Sequence, residues 1–194
     1  MGRKSDLINS RRSGFSLLEL LVTLAIVGIL LSLVIVGFSY AQERSKAKKA
    51  RIELAVLTTA IKAYEAEFGD FPNCPNKICT SGECLFLSMI GFHNAKGNLQ
   101  IPPLPSFLPI HMFGFEKSSY DLAEMPLFSH DEGEKLKLWL AKTLEKDPCF
   151  LDPWGNQYQY LYAKEEDGAY FNLFSLGPDG MTGGKYSADD LSPR

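Results

Sequence analysis

Residues 13–38 read SGFSLLELLVTLAIVGILLSLVIVGF. From Phe15 to Phe38 nearly every side chain is apolar. At 1.5 Å per residue a helix over this stretch spans about 36 Å, enough to cross the hydrocarbon core of a bilayer. The run is longer than the apolar part of an ordinary signal peptide, and no small-x-small cleavage site follows it, so a cleaved secretory peptide is the weaker reading. Basic residues flank both ends: Arg3, Lys4, Arg11 and Arg12 before it, then Arg44, Lys46, Lys48, Lys49 and Arg51 after it. Counting Lys and Arg therefore does not set the orientation. One ionisable residue, Glu19, interrupts the apolar run. A carboxylate inside a membrane helix costs about 3 kcal/mol on insertion scales and is rarely idle. Either Glu19 sits at headgroup level, or it awaits a positive partner.

Working outward on the C-terminal side, residues 41–68 contain neither Pro nor Gly. Ile52, Val56, Leu57, Ala60, Ile61, Tyr64 and Phe68 recur at three- and four-residue spacing, which predicts one apolar stripe on a charged helix. Gly69 and Pro72 supply the stop. The two stretches together predict one long helix, its first half in lipid and its second half packed on a soluble domain.

The chain has 194 residues, sufficient for one compact domain plus an appendage. The segment before Phe15 is basic, and without it the formal charge moves from −3 to about −6. An acidic surface argues against a nucleic-acid groove, which needs clustered Lys and Arg. Four cysteines are present, Cys74, Cys79, Cys84 and Cys149. In an exported domain an even count predicts disulfides, here two bridges pinning a long loop, with all three pairings open. The Cys-x4-Cys-x4-Cys spacing is wider than structural zinc pairs usually show, so zinc is the weaker alternative. Residues 73–130 give little periodicity, and the prolines at 102, 103, 105 and 109 exclude regular structure across that run. Residues 131–144 predict a helix carried by Leu136, Leu138, Leu140 and Leu144, with Trp139 in the core.

β chemistry follows. Asp152-Pro153-Trp154-Gly155-Asn156 is a turn cluster. Residues 157–162 alternate, placing Tyr158, Tyr160 and Tyr162 on one face. Asp167-Gly168 signals a hairpin, and residues 170–174 form the returning strand. The histidines His93, His111 and His130 fall into no ligand spacing, and the chain has no HExxH, Gly-x-Ser-x-Gly or P-loop motif. The sequence therefore predicts no intrinsic catalysis.

Ser13-Gly14-Phe15-Ser16-Leu17-Leu18-Glu19 resembles the type III signal of the type IV pilin family: a basic leader ending in Gly, an aromatic residue next, and Glu at the fifth mature position. The resemblance implies that a prepilin peptidase cleaves between Gly14 and Phe15 and N-methylates Phe15. It also implies that identical subunits assemble into a helical filament. There the freed amine of one copy would meet Glu19 of its neighbour, each charge offsetting the other's desolvation.

Asp152-Pro153-Trp154-Gly155-Asn156-x-Tyr158-x-Tyr160, Phe174-Ser175-Leu176-Gly177-Pro178-Asp179-Gly180, Gly183-Gly184 and Asp189-Asp190 look like the major pseudopilin of the type II secretion system, the G-type family. The two resemblances cover roughly residues 11–72 and 147–191. The second implies a calcium loop, with Leu176 through its carbonyl and Asp179, Ser187, Asp189 and Asp190 as ligands. Hard oxygen donors suit Ca²⁺, and the EF-hand pattern is absent.

The expected fold is α+β, a long N-terminal helix packed on a small antiparallel sheet. The expected segments are a cleaved leader (1–14), a membrane and filament-core helix (15–40) and an amphipathic extension (41–69). A Cys-rich and Pro-rich insertion (70–146) and a β region with the calcium loop (147–194) follow. The expected job is structural: a single-pass inner-membrane protein with a periplasmic domain, polymerising into a pseudopilus that drives protein export. Its implied partners are prepilin peptidase, minor pseudopilins and an inner-membrane assembly platform. A type IV pilin or minor pilin for adhesion, motility or DNA uptake is one alternative. A membrane-anchored periplasmic binding module that never polymerises is another.

Overall fold

The computed structural model describes residues 16–73, 79–94, 98–101, 103–115, 125–129, 132–166 and 168–193. Gly14, Phe15, Cys74, Pro102, His130, Asp131 and Asp167 lie outside the described residues. The chain separates into two compact units, Met1–Glu43 and Arg44–Arg194.

Helix α1 runs Leu17–Phe68. In the first unit its large apolar side chains, Leu17 through Phe38, are all exposed, and the helix is long and apolar enough to cross a membrane. In the second unit it presents Ala50, Glu53, Leu54, Leu57, Ala60, Ile61 and Tyr64 to the core. The predicted stripe is thus rotated. Ile52 faces solvent at 58% exposure, while Leu54 and the carboxylate of Glu53 take buried positions. Gly69 ends the helix at φ 78°, a left-handed conformation that costs glycine little, and its N–H closes on the Glu65 carbonyl at 2.7 Å.

Helix α2, Ser81–Met89, lies in the stretch where the sequence showed no pattern. It has a complete capping box. The Thr80 hydroxyl accepts the Glu83 N–H at 3.4 Å, and the Glu83 carboxylate accepts the Thr80 N–H at 2.7 Å. Gly82, Cys84, Leu85, Phe86, Leu87, Ser88 and Met89 are all buried. A 3₁₀ turn follows at Ile110–Phe113. Helix α3, Gly133–Leu144, buries Leu136, Leu140 and Leu144 but leaves Leu138 exposed. Trp139 is partly buried, edge-on to Phe128.

Among the described residues the sheet is one antiparallel pair, β1 (Gln159–Glu165) and β2 (Gly168–Phe174), in register from Gln159 opposite Phe174 to Glu165 opposite Gly168. The fold class is therefore α+β, as expected. α2 packs against β1. Phe86 packs at a tilt against Phe115 and Phe150 with centroids 4.9 and 5.0 Å apart, and Phe113 reaches Phe150 at 4.7 Å. Tyr64 and Phe68 of α1 meet Phe107 at 5.3 and 6.0 Å. These rings and the buried leucines of α1, α2 and α3 form one core, to which each fully buried ring contributes about 2 kcal/mol.

Candidate functional site

At the head of α1 the Ser16 N–H donates to Glu19 Oε2 at 2.9 Å, and the Glu19 N–H donates to Ser16 Oγ at 3.2 Å. This is a reciprocal capping box, which satisfies two of the helix's free N–H groups. The sequence reading of Glu19, as a headgroup-level carboxylate or one awaiting a positive partner, leaves out this capping role. The Ser-x-x-Glu spacing carried the second role as well. The Ser16 N–H belongs to the Phe15–Ser16 bond, so a cut after Gly14 would leave the cap in place.

The C-terminal loop is built on the Asp152 turn. Asp152 Oδ1 accepts the N–H groups of Trp154 and Asn156 at 3.0 and 2.8 Å, while Oδ2 accepts the Ser175 hydroxyl at 2.6 Å. Asn156 donates to the Gly177 carbonyl at 2.7 Å, and Ser175 pairs with Leu191 as an isolated antiparallel bridge. The turn, the end of β2 and the segment at Leu191 are thereby tied together.

Gly177 stands at φ 66° against Asp189, and a β-carbon there would lie 2.6 Å from the Asp189 carbonyl oxygen and 2.9 Å from its Oδ2. Only glycine admits that approach. Asp189 Oδ2 accepts the Asp179 N–H at 3.4 Å, Asp179 Oδ1 accepts the Met181 N–H at 2.9 Å, and Asp190 Oδ2 accepts the Thr182 hydroxyl at 3.2 Å. Asp190 Oδ1 is buried with no hydrogen-bond partner among the described residues. The Ser187 hydroxyl turns to the Gly184 carbonyl at 3.0 Å, and Leu176 is half-buried at the loop entrance. All five residues named from the sequence thus lie on this loop. Its donors are all oxygen and one carboxylate oxygen is orphaned, the chemistry a hard cation takes, but among the described residues the Asp179, Asp189 and Asp190 carboxylates do not all gather within ligand distance of one another.

Of the cysteines, Cys149 is a buried free thiol whose pKa burial pushes up to about 11. Cys79 and Cys84 bring their sulfurs together with a ring nitrogen of His93. The sequence sets His93 aside because it stands in no ligand spacing, and only the fold brings it to the two cysteines. Burial holds its imidazole neutral, with its pKa down to about 4.

A long helix that begins in an apolar run and ends in a domain closed by an antiparallel hairpin is the layout of a pilin-like protein. The profile of the family described as "Type II secretion system (T2SS), protein G" matches residues 110–193, and that of the "Prokaryotic N-terminal methylation motif" matches residues 9–35. The type II secretion system core protein G of Aeromonas hydrophila is 36% identical over 173 residues, covering 89% of this chain and 87% of its own length. The type IV major pilin protein PilA of Myxococcus xanthus is 41% identical over 68 residues, 34% of this chain and 31% of that one. The prepilin peptidase-dependent protein A of Clostridium perfringens is 30% identical over 100 residues, 51% of this chain and 71% of that one. The chain belongs to the type II secretion system protein G family.

Proposed function

We propose that this chain is a structural subunit of a type II secretion pseudopilus. It is made with a leader, cut after Gly14 by a prepilin peptidase, N-methylated on Phe15, and drawn from the inner membrane into a periplasmic filament. The observation that carries this reading is the apolar half of α1. From Leu17 to Phe38 it buries none of its large side chains. Lipid can cover that surface before assembly, and neighbouring copies can cover it afterwards. Oxygen donors on the C-terminal loop would hold Ca²⁺, with the orphaned Asp190 Oδ1 and the Asp179 and Asp189 carboxylates as its anionic ligands. The ion would supply a fixed positive charge that pins the loop to the Asp152 turn. The role is structural rather than catalytic. Minor pseudopilins and an assembly platform complete the partner set.

The similarity to the type IV pilin relative spans 68 residues, 34% of this chain, whereas the protein G profile reaches through residue 193. This difference favours secretion over adhesion or motility. Cross-linking in envelopes of the native host tests the proposal. A ladder of multimers that disappears without prepilin peptidase supports it, and monomers alone would refute it.

A further inference from the structure

We propose that Cys79, Cys84 and His93 form a zinc-binding site, separate from the oxygen-lined C-terminal loop and independent of the assembly role. The two sulfurs and a ring nitrogen of His93 all lie within 4.8 Å of one another. On a tetrahedral zinc with bonds of about 2.3 Å to sulfur and 2.0 Å to nitrogen, such atoms stand roughly 3.5–3.8 Å apart. The cluster therefore needs to close by about 1.3 Å at most.

Local structure explains why these residues meet. The Thr80–Glu83 capping box fixes the entry into α2. It places Cys79 just before the cap and Cys84 on the fourth helical position, the pair that hydrophobic side chains usually fill as a staple. Here both positions carry thiols. His93 arrives from the turn after α2. Its backbone is held by pairing with Leu99 and by the Tyr64 hydroxyl, which donates to its carbonyl at 3.1 Å.

Three properties favour a metal over a plain staple. His93 is only 4% exposed, and its Nδ1 is buried with no hydrogen-bond partner among the described residues. Such a nitrogen is costly to leave unsatisfied, and ligation through Nδ1 relieves that cost. Two thiolates and a neutral imidazole around Zn²⁺ give zero net charge, so the buried site escapes the penalty of an isolated ion. A cavity of about 170 Å³, lined by Pro72, Asn73, Tyr160 and both cysteines, adjoins the sulfurs and has room for a water as fourth ligand. Binding is a simple exchange: Zn²⁺ enters, two Zn–S bonds and one Zn–N bond form, and two thiol protons leave to solvent. Soft sulfur and imidazole donors select zinc over the hard cations that an oxygen loop takes.

The test uses the full chain purified in detergent without chelator or reductant. Zinc is measured by elemental mass spectrometry after gel filtration, and Co²⁺ serves as the optical probe. The expected result is one zinc per chain and a sulfur-to-cobalt charge-transfer band in the near ultraviolet. Cys79→Ala, at a partly exposed position, and His93→Gln should each weaken zinc binding by about tenfold or more. Cys149→Ser should leave it unchanged. A peptide spanning Cys79 and Cys84 that is two hydrogens lighter than its reduced form would overturn the site, because the sulfurs would then be bridged. Zinc binding that survives both Cys79→Ala and His93→Gln would overturn it equally.

Discussion

The Tyr158 hydroxyl donates to Glu53 Oε2 across 2.7 Å, joining residues 105 positions apart in sequence. Both partners are buried, Glu53 at 2% and Tyr158 at 1% exposure. This contact locks the C-terminal half of α1 to the residue that leads into β1. Lys49 adds an ion pair to Glu53 at 3.6 Å from a largely exposed position, which contributes little. Replacing Tyr158 by Phe leaves the Glu53 carboxylate buried without its main donor. The expected loss is about 1–3 kcal/mol of stability, read as a lower denaturation midpoint for the full chain in detergent.

Glu53 also sets a pH dependence. Burial, opposed by the Tyr158 hydrogen bond and by Lys49, raises its pKa above the usual carboxylate value. Between the unfolded and folded pKa values the native state binds more protons than the unfolded one. Stability therefore falls as pH rises through that window above about 4.5. Glu53→Gln keeps an oxygen to accept from Tyr158 and removes the buried charge. The expected outcome is a higher melting temperature than the parent at pH 7 and a smaller difference near pH 4. An unchanged pH profile in the variant would contradict this assignment.

The orphaned Asp190 Oδ1 gives the calcium reading a direct test. Millimolar Ca²⁺ should raise the melting temperature, by about 3 kcal/mol of stabilisation where the ion stands near a hundredfold over its dissociation constant. Asp190→Ala and Asp189→Ala should each abolish the response. A parent protein whose melting is indifferent to Ca²⁺ and to EDTA would end the proposal.

Glu19 has two separable roles, because Gln also completes a capping box. Glu19→Gln should keep the start of α1 intact, as read by the Ser16 amide's protection from exchange, and still fail to assemble for want of a charge. Glu19→Ala should lose both the cap, worth about 1 kcal/mol, and assembly. Both variants should be cleaved and exported normally. Wild-type filaments from Glu19→Gln would reduce this residue to a helix cap.

Much of the fold was legible because its signals were periodic or chemically specific. The apolar run and the break at Gly69 bounded α1 closely, and the alternation of Tyr158, Tyr160 and Tyr162 identified the first hairpin strand. Tyr158 and Tyr160 are buried, and the half-buried Tyr162 hydroxyl reaches Asp70 at 3.1 Å. The strand itself starts at Gln159 and extends to Glu165, further than the aromatic pattern suggested. The exact face of α1 was not legible. A hydrophobic stripe cannot anticipate that Glu53 turns inward because a tyrosine far along the chain receives it. α2 was missed for a related reason. A short helix in which every residue from Cys84 to Met89 is buried shows no one-sided stripe. Thr80-x-x-Glu83 was the one local signal that could have found it. The C-terminal loop was legible as a set of residues, but its anchorage on Asp152 and the close approach of Gly177 to Asp189 emerge only in three dimensions.

The most direct test of a processed, polymerising subunit is mass spectrometry of the N-terminal peptide from the chain isolated out of native envelopes. The account predicts a peptide beginning at Phe15 with a methylated amine, recovered from cross-linked multimers. A chain that still begins with the residues before Phe15, with an ordinary peptide bond joining Gly14 to Phe15, would contradict it. No amine would then be available to meet a neighbour's Glu19.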